Sequence, residues 1–234
     1  MSHGRLTGAL AGALLGALAL AAPAANASST NFNPNNFSKP TTIDNPWLPF
    51  PAGTTFHFTG EVDKQPSTDT ESVTNNIQTI DGVKARAVHD EVAVKGKVIE
   101  KTDDYYAQDS DGNVWYMGED SFELKGSKFV LASDSWKAGV NGAKPGIIQE
   151  ANPKVGDTYK EEDAPGVAED QAKVLSLTES VTVPYGSFTN VLETVETSPL
   201  DPQSENKWYA RGVGELKEAV ADGSEHYELV SITH

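Results

Sequence analysis

The residues best suited to chemistry are acidic, and they come in short groups: Asp103/Asp104, Glu119/Asp120, Glu161/Glu162/Asp163 and Glu169/Asp170. Two carboxyl groups facing each other across a cleft, about 5 or 6.5–9.5 Å apart, can cleave a glycosidic bond. Such a pairing would make an extracellular hydrolase or isomerase, and that is the alternative function. Solvated acidic faces account for the groups more simply, because Asp and Glu are seldom buried. Asp109-x-Asp111-x-Asn113 has the opening spacing of a calcium loop, and Asp120 falls at the twelfth position. The sixth position is Val114, where that loop needs Gly, and Val114-Trp115-Tyr116 favours a strand. A metal-free turn is therefore expected. His57, His89 and His226 form no local pair, and there is no Gly-x-Ser-x-Gly elbow. No catalytic residue, metal or cofactor is assigned.

Aromatic residues are the other set. Tyr105/Trp115 and Tyr106/Tyr116 alternate across one hairpin, and Trp208/Tyr209 do so in a second. Neighbours on a strand project to opposite faces. Tyr106 and Tyr209 are expected to face the interior. Tyr105, Trp115 and Trp208 are the ligand-binding candidates, on whichever second face the sheet presents.

The elements that position these residues are strands. Tyr105-Tyr106-Ala107 and Val114-Trp115-Tyr116 flank Asp109–Asn113, whose Asp, Gly and Asn accept a tight reversal. Thr54–Thr59 alternates, with Phe56 and Phe58 on one face. Asp81-Gly82, Lys95-Gly96-Lys97 and Lys125-Gly126 mark further turns, and strand signals continue to Ile232. Ser133–Pro153, rich in Gly and Pro, reads as a long loop anchored by Trp136, Ile147 and Ile148. The fold class is all-β and antiparallel, either barrel-like or a two-sheet body.

Ahead of the strands, Met1–Ala27 has a weakly positive start, an Ala/Gly/Leu run and Ala25-x-Ala27, the pattern of a secretory signal cleaved before Ser28. The apolar run is too short to cross a bilayer as a helix, so no stable membrane insertion is expected. Residues 28–42 are Asn-, Ser- and Pro-rich and read as a disordered lead-in. Asn45–Pro51 (NPWLPFP) reads as an extended plug over one end of the core. Residues 43–234 make a single β domain. The sequence holds no cysteine, so disulfides are impossible, and a net charge of −16 disfavours nucleic acid.

The domain has two similar halves, about 45–130 and 152–234, joined by the long loop. Gly53-Thr54-Thr55-Phe56 matches Gly156-Asp157-Thr158-Tyr159, and Tyr106-Ala107 matches Tyr209-Ala210, each 103 positions apart. The Asn45–Pro49 start, the Tyr106–Tyr116 hairpin, Pro145-Gly146-Ile147, Val183-Pro184-Tyr185-Gly186-x-Phe188 and Tyr209–Gly214 together resemble a group of uncharacterised secreted bacterial β-rich proteins. Tyr209–Gly214 is also similar to a hairpin of lipocalin-like envelope half-barrels. The resemblance implies a β fold and export, and it carries no catalytic residue. The function expected is that of a secreted, monomeric, non-catalytic β protein. Its partner would be a small molecule or glycan, apolar in the first case, bound in a groove between the halves.

Overall fold

The structure, a computed structural model, describes residues 31–234; the signal expected over 1–27 lies outside the described residues. Apolar and polar residues alternate over long stretches, which suits strands with one covered face. The first run comprises β1 (Thr55–Val62), β2 (Gln65–Ile80), β3 (Val83–Val94), β4 (Lys97–Gln108) and β5 (Val114–Lys125). Three connections in this run are two-residue turns, Asp63-Lys64, Asp81-Gly82 and Lys95-Gly96, with all six residues at positive φ. That backbone matches the right-handed twist of paired strands, so the long ribbon coils. Next come β6 (Lys128–Leu131), β7 (Trp136–Lys137) and β8 (Lys144–Gln149), all paired with β5.

The second run is β9 (Thr158–Lys160), β10 (Glu162–Asp163), β11 (Gln171–Val183), β12 (Gly186–Ser198), β13 (Asp201–Ala210), β14 (Gly214–Val220) and β15 (Glu225–Thr233). The strands lie in the order β10-β8-β5-β4-β3-β2-β1-β15-β14-β13-β12-β11-β9, with antiparallel pairing. Only Glu161 separates β9, on one edge, from β10, on the other. The two edges therefore meet on one short segment, and the body is a nearly closed antiparallel barrel. The all-β, antiparallel, barrel-like fold read from the strand and turn spacing is what forms.

Two stretches of this sheet share one strand order. Reading inward from its last strand, the first is β8-β5-β4-β3-β2-β1 and the second is β15-β14-β13-β12-β11-β9. β1 begins at Thr55 and β9 at Thr158; β2 ends at Ile80 and β11 at Val183; β3 begins at Val83 and β12 at Gly186. Each of these pairs is 103 positions apart. Tyr106 lies near the end of β4 and Tyr209 near the end of β13.

Two expectations about irregular segments need correction. The segment 133–153 is not an open loop, because β8 runs through it and buries Ile147 and Ile148. Its Pro and Gly mask a strand rather than break one. Pro145 pairs only with the short β10, and Gly146 lets Glu161 approach so closely that a Cβ would stand 2.3 Å from its carbonyl oxygen. The second correction concerns the lead-in, whose described part, 31–42, is fixed in place. Phe32 and Phe37 pack on Trp115 at ring separations of 5.5 and 6.0 Å, and Arg86 donates to the Thr41 carbonyl. Two phenylalanines in a polar stretch supply the apolar anchors that its composition hides.

Asn45–Pro51 does lie across one end. The Asn45 side chain accepts from the backbone N–H groups of Trp47 and Leu48 and donates to the Gly112 carbonyl. Gly212 N–H donates to the Pro46 carbonyl, and Arg211 stacks on Trp47 at 4.3 Å. Phe50 then reaches inward against Phe56 and Tyr106.

Candidate functional site

Period-two alternation decides what enters the barrel. On β4, Glu100, Thr102, Asp104 and Tyr106 are buried, while Lys101 and Asp103 are half-buried on the other face. The same rule splits the acidic pairs. Asp104, Glu119 and Glu162 turn inward and are buried, whereas Asp103, Asp120 and Asp163 bond on the outside with His89, Lys137 and Lys160. The solvated-face reading thus holds for Asp103, Asp120 and Asp163 and fails for Asp104, Glu119, Glu161 and Glu162, while Glu169 and Asp170 are half-buried. Among the described residues twelve carboxyl side chains are buried, and the one buried basic residue is Lys207.

Lys207 projects from β13. Its Nζ is 3.0 Å from Glu196 Oε2 and 3.8 Å from both Glu205 Oε2 and Glu218 Oε2. Burial alone would lower its pKa, but the surrounding carboxylates outweigh burial and hold it well above its ordinary value. The Tyr116 hydroxyl lies 2.5 Å from Asp104 Oδ1 and 2.9 Å from Glu119 Oε2. Burial, then the charges of Glu162 and Asp104, push Glu119 well above the usual carboxyl range. Burial and then Glu196 raise Glu161; burial and then Asp170 raise Glu162, against the hydrogen bond it accepts from Trp136 Nε1.

Beside β4 in the sheet, Asp69 and Glu71 share one face of β2, and Asp90 on β3 is the cross-strand partner of Glu71. Carboxylate oxygens of these three buried residues all lie within 4.8 Å of one another. The Tyr106 ring, fixed between Phe50 and Tyr116 at 5.3 and 5.0 Å, is wholly buried, and its hydroxyl makes no hydrogen bond with the described residues. Burial first, then the charges of Asp104 and Glu71, raise the Tyr106 pKa, which places that hydroxyl in their field.

The residues singled out from sequence as ligand contacts are not gathered at one place. Tyr105 is buried on the outer face of β4, where it donates to Asp120 Oδ2 and carries Lys137 over its ring at 4.8 Å. Trp115, on the neighbouring β5, is enclosed by Phe32 and Phe37 and donates Nε1–H to Asp109 Oδ2. Trp208 stands on β13, well along the sheet, half-buried beside Lys217. Asp109 receives hydrogen bonds from the N–H groups of Asp111 and Asn113, the Asn113 amide and the Trp115 indole, so its carboxylate braces the turn. Sequence reading passed over Lys207, Asp69, Glu71 and Asp90. The available signal was Asp69-x-Glu71-x-Val73, acids alternating on the same face as an apolar residue.

No protein-family model matches the sequence, and no curated protein matches it. Two solved structures are similar in shape. One, from Bacteroides fragilis NCTC 9343, is described as an exported protein with a YmcC-like fold; it has 12% identity and a TM-score of 0.49, covering 80% of this chain and 99% of that one. The other is described as a lipoprotein from Parabacteroides distasonis ATCC 8503, with 14% identity and a TM-score of 0.44 over 82% and 99% of the two chains. Neither likeness bears on function.

Proposed function

We propose that the chain is an exported, non-catalytic binding protein that takes a positively charged ligand into the interior of a carboxylate-lined barrel. The observation that carries this is the imbalance between the buried carboxyl groups, eleven apart from the turn residue Asp109, and one buried lysine. Ionised carboxylates withdrawn from water are costly unless a cation or a proton neutralises them. An interior lined by acids favours a positively charged guest over a neutral one, so a cation replaces the apolar molecule or glycan expected from the aromatic residues. The 103-residue offset between the starts of β1 and β9, the ends of β2 and β11 and the starts of β3 and β12 supports a duplicated chain, with the binding volume between the two halves.

A second reading has one observation in its favour. Glu119, raised by burial and then by Glu162, and Glu162, raised by burial and then by Asp170, lie in one hydrogen-bonded and electrostatic group with Tyr116 and Asp104. A protonated carboxyl beside an ionised one is the arrangement a hydrolase would use. Calorimetric titration with spermidine and with maltohexaose separates the two readings. Spermidine binding without maltohexaose binding supports the cation reading; the converse, or turnover of an oligosaccharide, overturns it.

A further inference from the structure

Resting on the cation reading, we propose that Thr194 and Glu196, on the inner face of β12, hold a primary ammonium group of the ligand, with Lys207 as a fixed cation beside it. The register sets the geometry. Thr194 is the cross-strand partner of Lys207, and Glu196 follows Thr194 by two residues. All three are buried, so they project to the same side of two adjacent strands. Residues directly opposite each other have Cβ atoms about 4.5–5.5 Å apart. A threonine hydroxyl is one bond beyond Cβ, so the Thr194 oxygen stands against the Lys207 side chain.

Two oxygens here need a donor. Glu196 places Oε2 3.0 Å from Lys207 Nζ, while its Oε1 is buried and makes no hydrogen bond with the described residues. The Thr194 hydroxyl, 1% exposed, also has no partner among the described residues. Buried polar atoms are bonded almost without exception, so an orphaned hydroxyl beside an orphaned carboxyl oxygen points to a bound group. A carboxylate accepts from more than one cation, so Lys207 does not exhaust Glu196. Glu205 Oε2 and Glu218 Oε2, each 3.8 Å from Lys207 Nζ, add acid around that one lysine and offset a second positive charge. Glu161 supplies a third oxygen: it is buried, its Oε2 has no partner among the described residues, and the charges of Glu196 and Lys207 both act on it. An ammonium carries three N–H donors and no acceptor, which matches a hydroxyl and two carboxyl oxygens. Lys207 already shows that carboxylates of this cluster hold an ammonium.

The test is calorimetric titration of the wild type, Thr194→Val and an outer-face control, Thr197→Val, with spermidine and with hexamethonium, a cation that has no N–H. The expected result is spermidine binding that weakens about fivefold or more in Thr194→Val and is unchanged in the control, with hexamethonium bound about tenfold more weakly than spermidine. The Thr194 hydroxyl bonds to none of the described residues, so Thr194→Val should melt no lower than the wild type, which a structural role for the hydroxyl would not give. Should Thr194→Val not fold, Thr194→Ala, which only removes atoms, is read by the same criteria. Equal spermidine binding by the variant overturns the site, and hexamethonium bound as tightly as spermidine overturns the ammonium class; either result leaves the cation reading standing. Binding of neither compound removes both.

Discussion

The Tyr116 hydroxyl stands 2.5 Å from Asp104 Oδ1 and 2.9 Å from Glu119 Oε2, so one phenolic oxygen bridges two buried carboxyl groups. A hydroxyl has a single proton to donate. The second contact is satisfied when a carboxyl donates back, and Glu119, raised by burial and by Glu162, is the group that holds a proton. Tyr116→Phe removes the shared oxygen and leaves two carboxyl groups facing each other. Loss of a buried hydrogen bond to a charged group costs about 2–3 kcal/mol. Urea denaturation should show a loss of that order, and unchanged stability would contradict the shared contact.

Stability should fall as pH rises through neutrality. Glu150, beside Asp157, is pushed up to about 7 from an ordinary 4.5, chiefly by burial and then by Asp157. The folded chain therefore binds more protons than the unfolded chain across that interval, and stability is lost as pH rises from 4.5 through about 7. His89 acts in the same direction: its hydrogen bond to Asp103 raises its pKa above 6.5, so its contribution is complete below 6.5 and disappears above the raised value. Glu91 opposes both at the acid end. Its hydrogen bond from Lys101 lowers its pKa below 4.5, so its contribution is present above 4.5 and lost as pH falls through the lowered value. Thermal melts across pH 4 to 9 should show Glu150→Gln flattening the descent near pH 7. An unaltered profile would contradict the assignment.

The outer aromatics should differ from the inner ones. Tyr209 is 2% exposed inside the barrel, whereas Trp208 is half-buried outside it. Tyr209→Ala should cost about 3–5 kcal/mol and Trp208→Ala about 1 kcal/mol. Trp115→Ala removes the platform for Phe32 and Phe37, so limited proteolysis within 31–42 should quicken with little change elsewhere.

Gly146→Ala tests the closure of the barrel. An added Cβ would meet Glu161 backbone atoms at 2.3–2.4 Å, forcing β8 away from the segment that joins β9 to β10. Overpacking of this kind costs about 1–3 kcal/mol. Faster amide exchange confined to 144–149 and 158–163 is the expected signature.

The fold was readable because its signals are local. Phe56 and Phe58 alternate with Thr55, His57 and Thr59, and Asp81-Gly82 and Lys95-Gly96 mark reversals that the backbone adopts at positive φ. β8 was not readable, because Pro145 and Gly146 signal a loop and only the approach of Glu161 explains them. The site was harder for a different reason. In an open sheet the face bearing Asp104 and Glu119 would be wet, and acids there would mean solubility. Joining of the two sheet edges through Glu161 encloses that face, and closure is a long-range event with no local signature. Tyr105, Trp115 and Trp208 stood out because they are aromatic, yet Lys137, Phe32 and Phe37 cover the first two.

The most direct test of a cation entering the carboxyl-lined interior is proton release. Carboxyl groups such as Glu119, Glu161 and Glu162, whose pKa values are raised by burial, must lose protons when a cation replaces them. In weakly buffered solution at about pH 6, CaCl₂ or spermidine added to the protein should therefore lower the pH in proportion to the amount bound. Binding heat with no accompanying proton release would mean that the cation sits on the outer surface, and the interior site would be contradicted.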